Sequence, residues 1–168
     1  GFVYGQQKMI AQYNCTGDWA FYLEGDEVLH ESELNSIRTA MEDNLNNFDV
    51  EALHFNFFHF YGTPNQVGIA GYRRAPRIIR NSIRSIAPDG LFWVVMDENK
   101  KGRYPRAKSA GGNIYHYGHC RSVSKMAEKL RQVGRYWGGS HEDFRGYGSI
   151  DVRELRPFKG SHPAVMED

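Results

Sequence analysis

Gly17-Asp18-Trp19-Ala20-Phe21-Tyr22-Leu23-Glu24-Gly25-Asp26-Glu27-Val28-Leu29 is the stretch on which the reading of the fold turns. Thr16-Gly17-Asp18 is a turn signal, and the apolar run Trp19 to Leu23 that follows predicts a buried strand. Acidic residues come at once after it. In open α/β sheets, ligands sit in the crevice beyond the carboxyl ends of the strands. On an extended segment, carboxylates at i and i+2 point the same way, so Glu24 and Asp26 are expected to approach one ion together. Hard oxygen ligands suit Mg2+ or Mn2+, which are commonly shared with substrate phosphates. An acidic turn leading into a helix, whose N-terminus favours negative charge, accounts for the same residues without any ligand.

Upstream, Gln6 to Asn14 reads as a short helix with Met9, Ile10 and Tyr13 on one face. Downstream, Ser32 is placed to cap a helix carrying Leu34, Ile37, Met41 and Leu45 at spacings of three and four. Leu53 to Tyr61 predicts an aromatic strand broken by Gly62-Thr63-Pro64-Asn65. Arg77 to Arg80 predicts a short strand, Pro88-Asp89-Gly90 a turn, and Leu91 to Met96 another buried strand. Lys100 to Gly112, basic and rich in Gly, Pro and Ser, reads as a mobile loop, and Asn113 to Tyr117 as a short strand. Ser122 opens a second helix with Met126, Leu130, Val133 and Trp137 on its apolar face, and Ser149 to Leu155 predicts a last strand. The alternation of strands and helices predicts an α/β or α+β layered domain, taken as α/β with a mixed sheet flanked by helices, in one domain over 1–168.

The 168 residues suffice for one core. Lysines and arginines number 21 against 20 acids, so there is no strong overall field, which argues against a dedicated nucleic-acid binder. Aromatic residues reach 14%, expected chiefly in the core, with sugar-stacking surfaces as the other use. Cys15 and Cys120 stand far apart in no metal-spaced pair and read as reduced thiols of a cytoplasmic protein. No apolar run approaches the ~18 residues of a membrane span, and the start has no signal-peptide pattern. The start lacks an initiator Met, so the chain is read as a piece of a longer one.

The Gly17 to Leu29 stretch resembles the segment around the DxD motif of family 2 glycosyltransferases, roughly G-D-W-(apolar)3-L-D-A-D-E. The helix before it, with Gln6, Gln7 and Lys8, fits the same pattern. Arg74-Ala75-Pro76-Arg77-Ile78-Ile79-Arg80-Asn81 resembles an R-x-x-R-(apolar)2-R stretch beyond the acceptor side. Ile114-Tyr115-His116-Tyr117-Gly118-His119-Cys120-Arg121 resembles an H-Y-G stretch followed by a helix. The likeness spans residues 5 to 137. It implies a partial GT-A-like fold, the C-terminal portion without the N-terminal nucleotide-binding region. It also implies a divalent ion, Mg2+ or Mn2+, on the diphosphate of a nucleotide-sugar. Asp26 matches the second aspartate of the motif, and Glu24 stands where the first belongs, with a longer arm.

The expected function is metal-dependent transfer of a sugar from a nucleotide-sugar donor to the hydroxyl of a carbohydrate or lipid-linked acceptor, incomplete in this piece of chain. The alternative is a catalytically silent binding or scaffold domain of the same fold. Glu24, Asp26 and His116 are the expected metal ligands, although a hydrogen-bonded strand histidine explains His116 equally simply. Asp89, Asp97 and Glu98 are candidate general bases on loops after strands, or else solvated turn residues. Within the basic run, Arg77 and Arg80 suit a phosphate or an acidic acceptor, or else form a solvated face. Lys100, Lys101, Arg103, Arg106 and Lys108 divide between a diphosphate lid and plain disorder. A sheet edge left open by the absent region is expected to favour homo-oligomers.

Overall fold

The computed structural model describes residues 2–88, 90, 92–137, 144 and 146–166. In chain order the elements are α1 (Phe2–Tyr13), β1 (Trp19–Phe21), β2 (Glu27–Leu29), α2 (Leu34–Asp43), β3 (Ala52–Tyr61), β4 (Thr63–Gly68) and β5 (Arg74–Arg80). They continue as β6 (Ser85–Ile86), β7 (Val94–Met96), β8 (Gly102–Arg103), β9 (Ala107–His119), α3 (Val123–Trp137) and β10 (Leu155–Pro157). β3 and β9 pair. Glu51 N–H donates to the Arg106 carbonyl (2.8 Å) and Gly62 N–H to that of His119 (3.1 Å), so these two strands run the same way among otherwise antiparallel neighbours. The α/β expectation of a mixed sheet with helices is met. No helix of the described residues is long and apolar enough to cross a membrane.

Contacts divide the chain into two compact units. The first comprises Gly1–Leu23, Ser32–Asn56 and Arg74–Gly112. Its β5 is flanked by β1 (Ala20 opposite Ile79) and by β3 (Leu53 opposite Ile78). Pro76 cannot donate to a ladder, and the register of β3 against β5 shifts between Leu53 and His54, next to it. Ala20, Ala52, Ile79, Ala87 and Trp93 form a buried cluster. α1 is tied to it through Gln12, whose amide donates to Ser85 Oγ (2.7 Å) and accepts from Trp93 Nε1 (2.9 Å). α2 buries Ile37 but exposes Leu34, and the residue before its first turn is Glu33, not Ser32, with no side-chain cap.

Two expectations in this unit are corrected. Only Val94–Met96 of the expected strand from Leu91 is extended, in a small antiparallel sheet with β6 and β8. Leu91 lies outside the described residues. Lys100 to Gly112 is largely strand rather than loop: β8 occupies 102–103, and β9 begins at Ala107. The cause is Glu51, 4% exposed. Its carboxylate accepts two hydrogen bonds from the Arg103 guanidinium (2.8 Å each) and one from the Arg106 N–H (2.8 Å). One buried acid thereby gathers the basic residues of that segment.

The second unit comprises Glu24–Glu31, Phe57–Arg73 and Asn113–Asp168. β2 pairs with β9 (Glu27 opposite His116), β3 with β4, and β4 with β10. Gly62 alone turns the chain from β3 to β4, at φ 73°, so the expected four-residue break shrinks to one residue. The strand expected over Ser149 to Leu155 is replaced by 3-10 turns at Tyr147–Ser149 and Val152–Glu154, then β10. Phe58, Phe60, Tyr115, Tyr117, Phe158 and His162 pack their rings together. Side chains alternate along strands, so the opposite face of β3 carries His59 and that of β9 carries His116 and Gly118. That face builds the site.

Candidate functional site

The acidic segment after β1 is a tight turn. Glu27 N–H donates to the Glu24 carbonyl (3.0 Å), and the Glu27 carboxylate accepts from Glu24 N–H (3.2 Å). Glu24 and Asp26 are therefore not successive same-face residues of an extended strand, which corrects the basis on which they were paired. Asp26 sits near the tip of the turn, held against β9 by the Tyr117 N–H donating to its carbonyl (2.9 Å). The Glu24 carboxylate acts on His116 through its charge, favouring the protonated ring.

His116 is brought beside Asp26, with Nε2 3.6 Å from Oδ1. Its tautomer follows from its neighbours. His59 Nε2 lies 2.8 Å from the Tyr72 carbonyl, which can only accept, so that nitrogen carries a proton. With the Nε2 of His59 donating to that carbonyl, its Nδ1 is placed to accept from His116 Nδ1, 3.0 Å away. Burial lowers the His116 pKa to about 4 against the pull of Asp26, so the ring is neutral at pH 7. Its Nε2 is bare and faces a carboxylate oxygen, two lone pairs with no proton between them.

Both side chains close in on Gly118. A Cβ there would collide with His116 Nε2 and stand 2.7 Å from Asp26 Oδ2, so the missing side chain leaves a tight cradle in which the two groups approach each other over the bare Cα. Donor atoms ~2.1 Å from one ion and at right angles are roughly 3 Å apart, so an ion held by both would draw His116 Nε2 and Asp26 Oδ1 together from their 3.6 Å separation. Among the described residues no three His, Cys, Asp or Glu side chains gather as a metal cluster. One carboxylate and one imidazole nevertheless fit the mode in which Mg2+ or Mn2+ takes one or two protein ligands and fills its shell with water and substrate phosphate.

Asp26 also bounds a cavity of about 430 Å³ lined by Tyr117, Arg121, Ser122, Lys125 and Met166. Lys129 Nζ donates to Asp26 Oδ2 (3.0 Å) and to the Gly118 carbonyl (3.1 Å), while Arg121 approaches the same oxygen at 3.9 Å. Burial raises the Asp26 pKa, but Lys129, His116 and Arg121 outweigh it and hold the carboxyl below its ordinary value. Arg121, just before α3, and Lys125 and Lys129, within it, follow one another at four-residue steps and form a basic stripe. Set against one carboxylate, that stripe makes the cavity a place for an anion. His119 stacks on Tyr61 (4.7 Å) beside His116, and burial likewise lowers its pKa to about 4. Its buried Nδ1 has no hydrogen-bond partner. Burial pushes the Cys120 thiol up to about 11, which keeps it un-ionised and a poor nucleophile.

The other expected site residues belong to the first unit. Arg77 and Arg80 are 1% and 2% exposed, neither a solvated face nor an open anion site. Arg80 donates to the carbonyls of Val50, Leu45, Asn44 and Asn47 at 2.7–3.1 Å, closing the C-terminal end of α2. Asp97 closes the turn between β7 and β8, accepting the Lys101 N–H at 2.7 Å, and Glu98 is exposed beside it. Asp89 lies outside the described residues. Sequence reading missed His59, Gly118, Lys125 and Lys129. The four-residue basic spacing after Cys120 was a signal for two of these. Comparison with known proteins finds no matching family model and no matching curated protein.

Proposed function

We propose that the chain contributes the diphosphate side of a nucleotide-sugar-dependent glycosyltransferase. The observation that carries this is the cradle at Gly118, where a bare imidazole nitrogen and a carboxylate oxygen converge at the edge of a cationic cavity. The resemblance of Gly17 to Leu29 and of Ile114 to Arg121 to family 2 glycosyltransferases supports the same assignment. Asp26 and His116 would hold Mg2+ or Mn2+, with Glu24 adding negative charge nearby. When bound, the ion neutralises charge on the diphosphate leaving group.

The residues of the chain itself do the rest. His59 fixes the His116 tautomer, leaving Nε2 free toward Asp26. Arg121 and Lys125 offer fixed positive charge to phosphate oxygens inside the cavity. The acceptor would be a hydroxyl of a carbohydrate or lipid-linked sugar. Titration with Mn2+ and a panel of nucleotide-sugars, followed by calorimetry, tests this reading. Binding that needs both components and is abolished in Asp26→Asn is expected. Binding indifferent to Asp26 would discard the proposal.

One observation favours a second reading, a catalytically silent domain of the same ancestry. Asp26 already has a cationic partner in Lys129, and it is the only carboxylate among the described residues that line the cavity. Turnover of a radiolabelled nucleotide-sugar by this chain would eliminate that alternative.

A further inference from the structure

The two oxygens of the Asp26 carboxylate face different partners. Oδ1 faces His116 Nε2 at 3.6 Å, and Oδ2 accepts from Lys129 Nζ at 3.0 Å. The cradle at Gly118 touches both, since the Cβ position there is 2.7 Å from Oδ2 and against Nε2. An ammonium and a divalent ion cannot share Oδ2 without strong like-charge repulsion at such separations. Lys129 is also bound to the Gly118 carbonyl, the backbone group at the rim of the same cradle (3.1 Å).

We propose that Lys129 is a tethered competitor for Asp26, a built-in cation that keeps the carboxylate neutralised and weakens its hold on the divalent ion. The inference rests on the metal reading above and says what sets its affinity. Three features support it. Lys129 reaches Asp26 from α3, an element separate from the turn, so its ammonium can withdraw without disturbing the ligand. Its four-carbon stem is flexible, and its side chain is 30% exposed, leaving room to move. The cavity beside Asp26, lined by Arg121 and Lys125, leaves open space next to the salt bridge. The ammonium occupies the carboxylate oxygen that lies nearest Gly118.

The test is Mn2+ binding to the intact chain, read as loss of the free-ion signal in electron paramagnetic resonance, with no nucleotide present. Lys129→Met is expected to bind Mn2+ at least about tenfold more tightly than the unaltered protein, the scale of one charge-assisted contact removed. Lys129→Gln, which keeps a polar end, should show the same direction. Lys129→Arg should stay as weak as the unaltered chain. Melting temperatures establish that each variant folds. Equal Mn2+ affinity in the unaltered protein, Lys129→Met and Lys129→Gln overturns the competitor role while leaving the metal reading in place. Absence of binding in all of them, Lys129→Met included, removes the metal reading and this inference with it. Tight binding that survives Asp26→Asn in the Lys129→Met background overturns the inference, because the competition is for that carboxylate.

Discussion

Gly118 holds its place in the site by having no side chain. The position a Cβ would take on it is closed in by His116 Nε2 and the Asp26 carboxylate, so one added methyl group would have to push the imidazole aside. Gly118→Ala is expected to reduce Mn2+ affinity at least about tenfold, with an overpacking cost of about 1–3 kcal/mol in urea unfolding. Unchanged Mn2+ binding in a folded Gly118→Ala protein would show that no ion sits between those two groups. Asp26 stood out in the sequence because acid residues after an apolar run are conspicuous. His59 was not, because a strand histidine carries no local mark. Its importance comes from a ring nitrogen of His116, 57 positions further along the chain. Arg80 misled in the other direction. A basic run reads as surface, yet the four carbonyls it satisfies come from the end of α2 and the segment after it, which no spacing rule links to it.

Among the elements, α3 was read for its apolar face, and Met126 is indeed buried at 1% exposure. The basic content at its start, Arg121 just before the helix and Lys125 within it, lines the cavity and supplies its charge, while Lys129 one turn further on binds Asp26. Replacing Arg121 and Lys125 together by Ala should weaken pyrophosphate binding by about tenfold or more, since charge-assisted bonds to phosphate are lost. Melting temperature should barely move, because both side chains are exposed. A double variant that binds pyrophosphate like the unaltered protein would exclude α3 as the anion-bearing element. β9 makes the complementary point. Its first half looked like a loop because Gly, Ser and Lys dominate there, and it becomes strand because Glu51 anchors Arg103 and Arg106 at its start. Composition weighs neighbours in sequence, whereas that anchor is 52 residues away from Arg103.

For the molecule as a whole, net charge of +1 predicts little attraction to polyanions, and that inference from composition concerns the total only. The local excess on α3 is hidden in the sum. Stability should depend on pH in a window set by two partly buried histidines. His116 and His119 have folded-state pKa values lowered from 6.5 to about 4, so between these values the unfolded chain binds protons that the folded chain does not. Their contribution is fully present above pH 6.5 and is lost as the pH falls toward 4. Below that, Asp26 and Glu51, both held under their ordinary values by cationic partners, add further loss. Urea midpoints measured from pH 7.5 to 4 should decline steadily below 6.5. A flat profile between 6.5 and 5 would refute the neutral, partly buried state of the histidine pair.

By itself the sequence determined the α/β character, the helices α2 and α3 at near their observed limits, α1 without its first turn, the aromatic strand β3, and Asp26 as the acid to watch. These follow from short-range periodicity, which records which face of an element must avoid water. Only the tertiary structure decided what Asp26 meets. Lys129 is 103 residues from it in sequence, and the partnership exists because α3 returns over the end of β9. Gly118 likewise took its role from the Asp26 turn packed against β9, and Arg80 was turned inward by the carbonyls at and after the end of α2. Side-chain chemistry is local, but charge pairing and empty space belong to the packed chain, where distance along the backbone no longer sets distance in space.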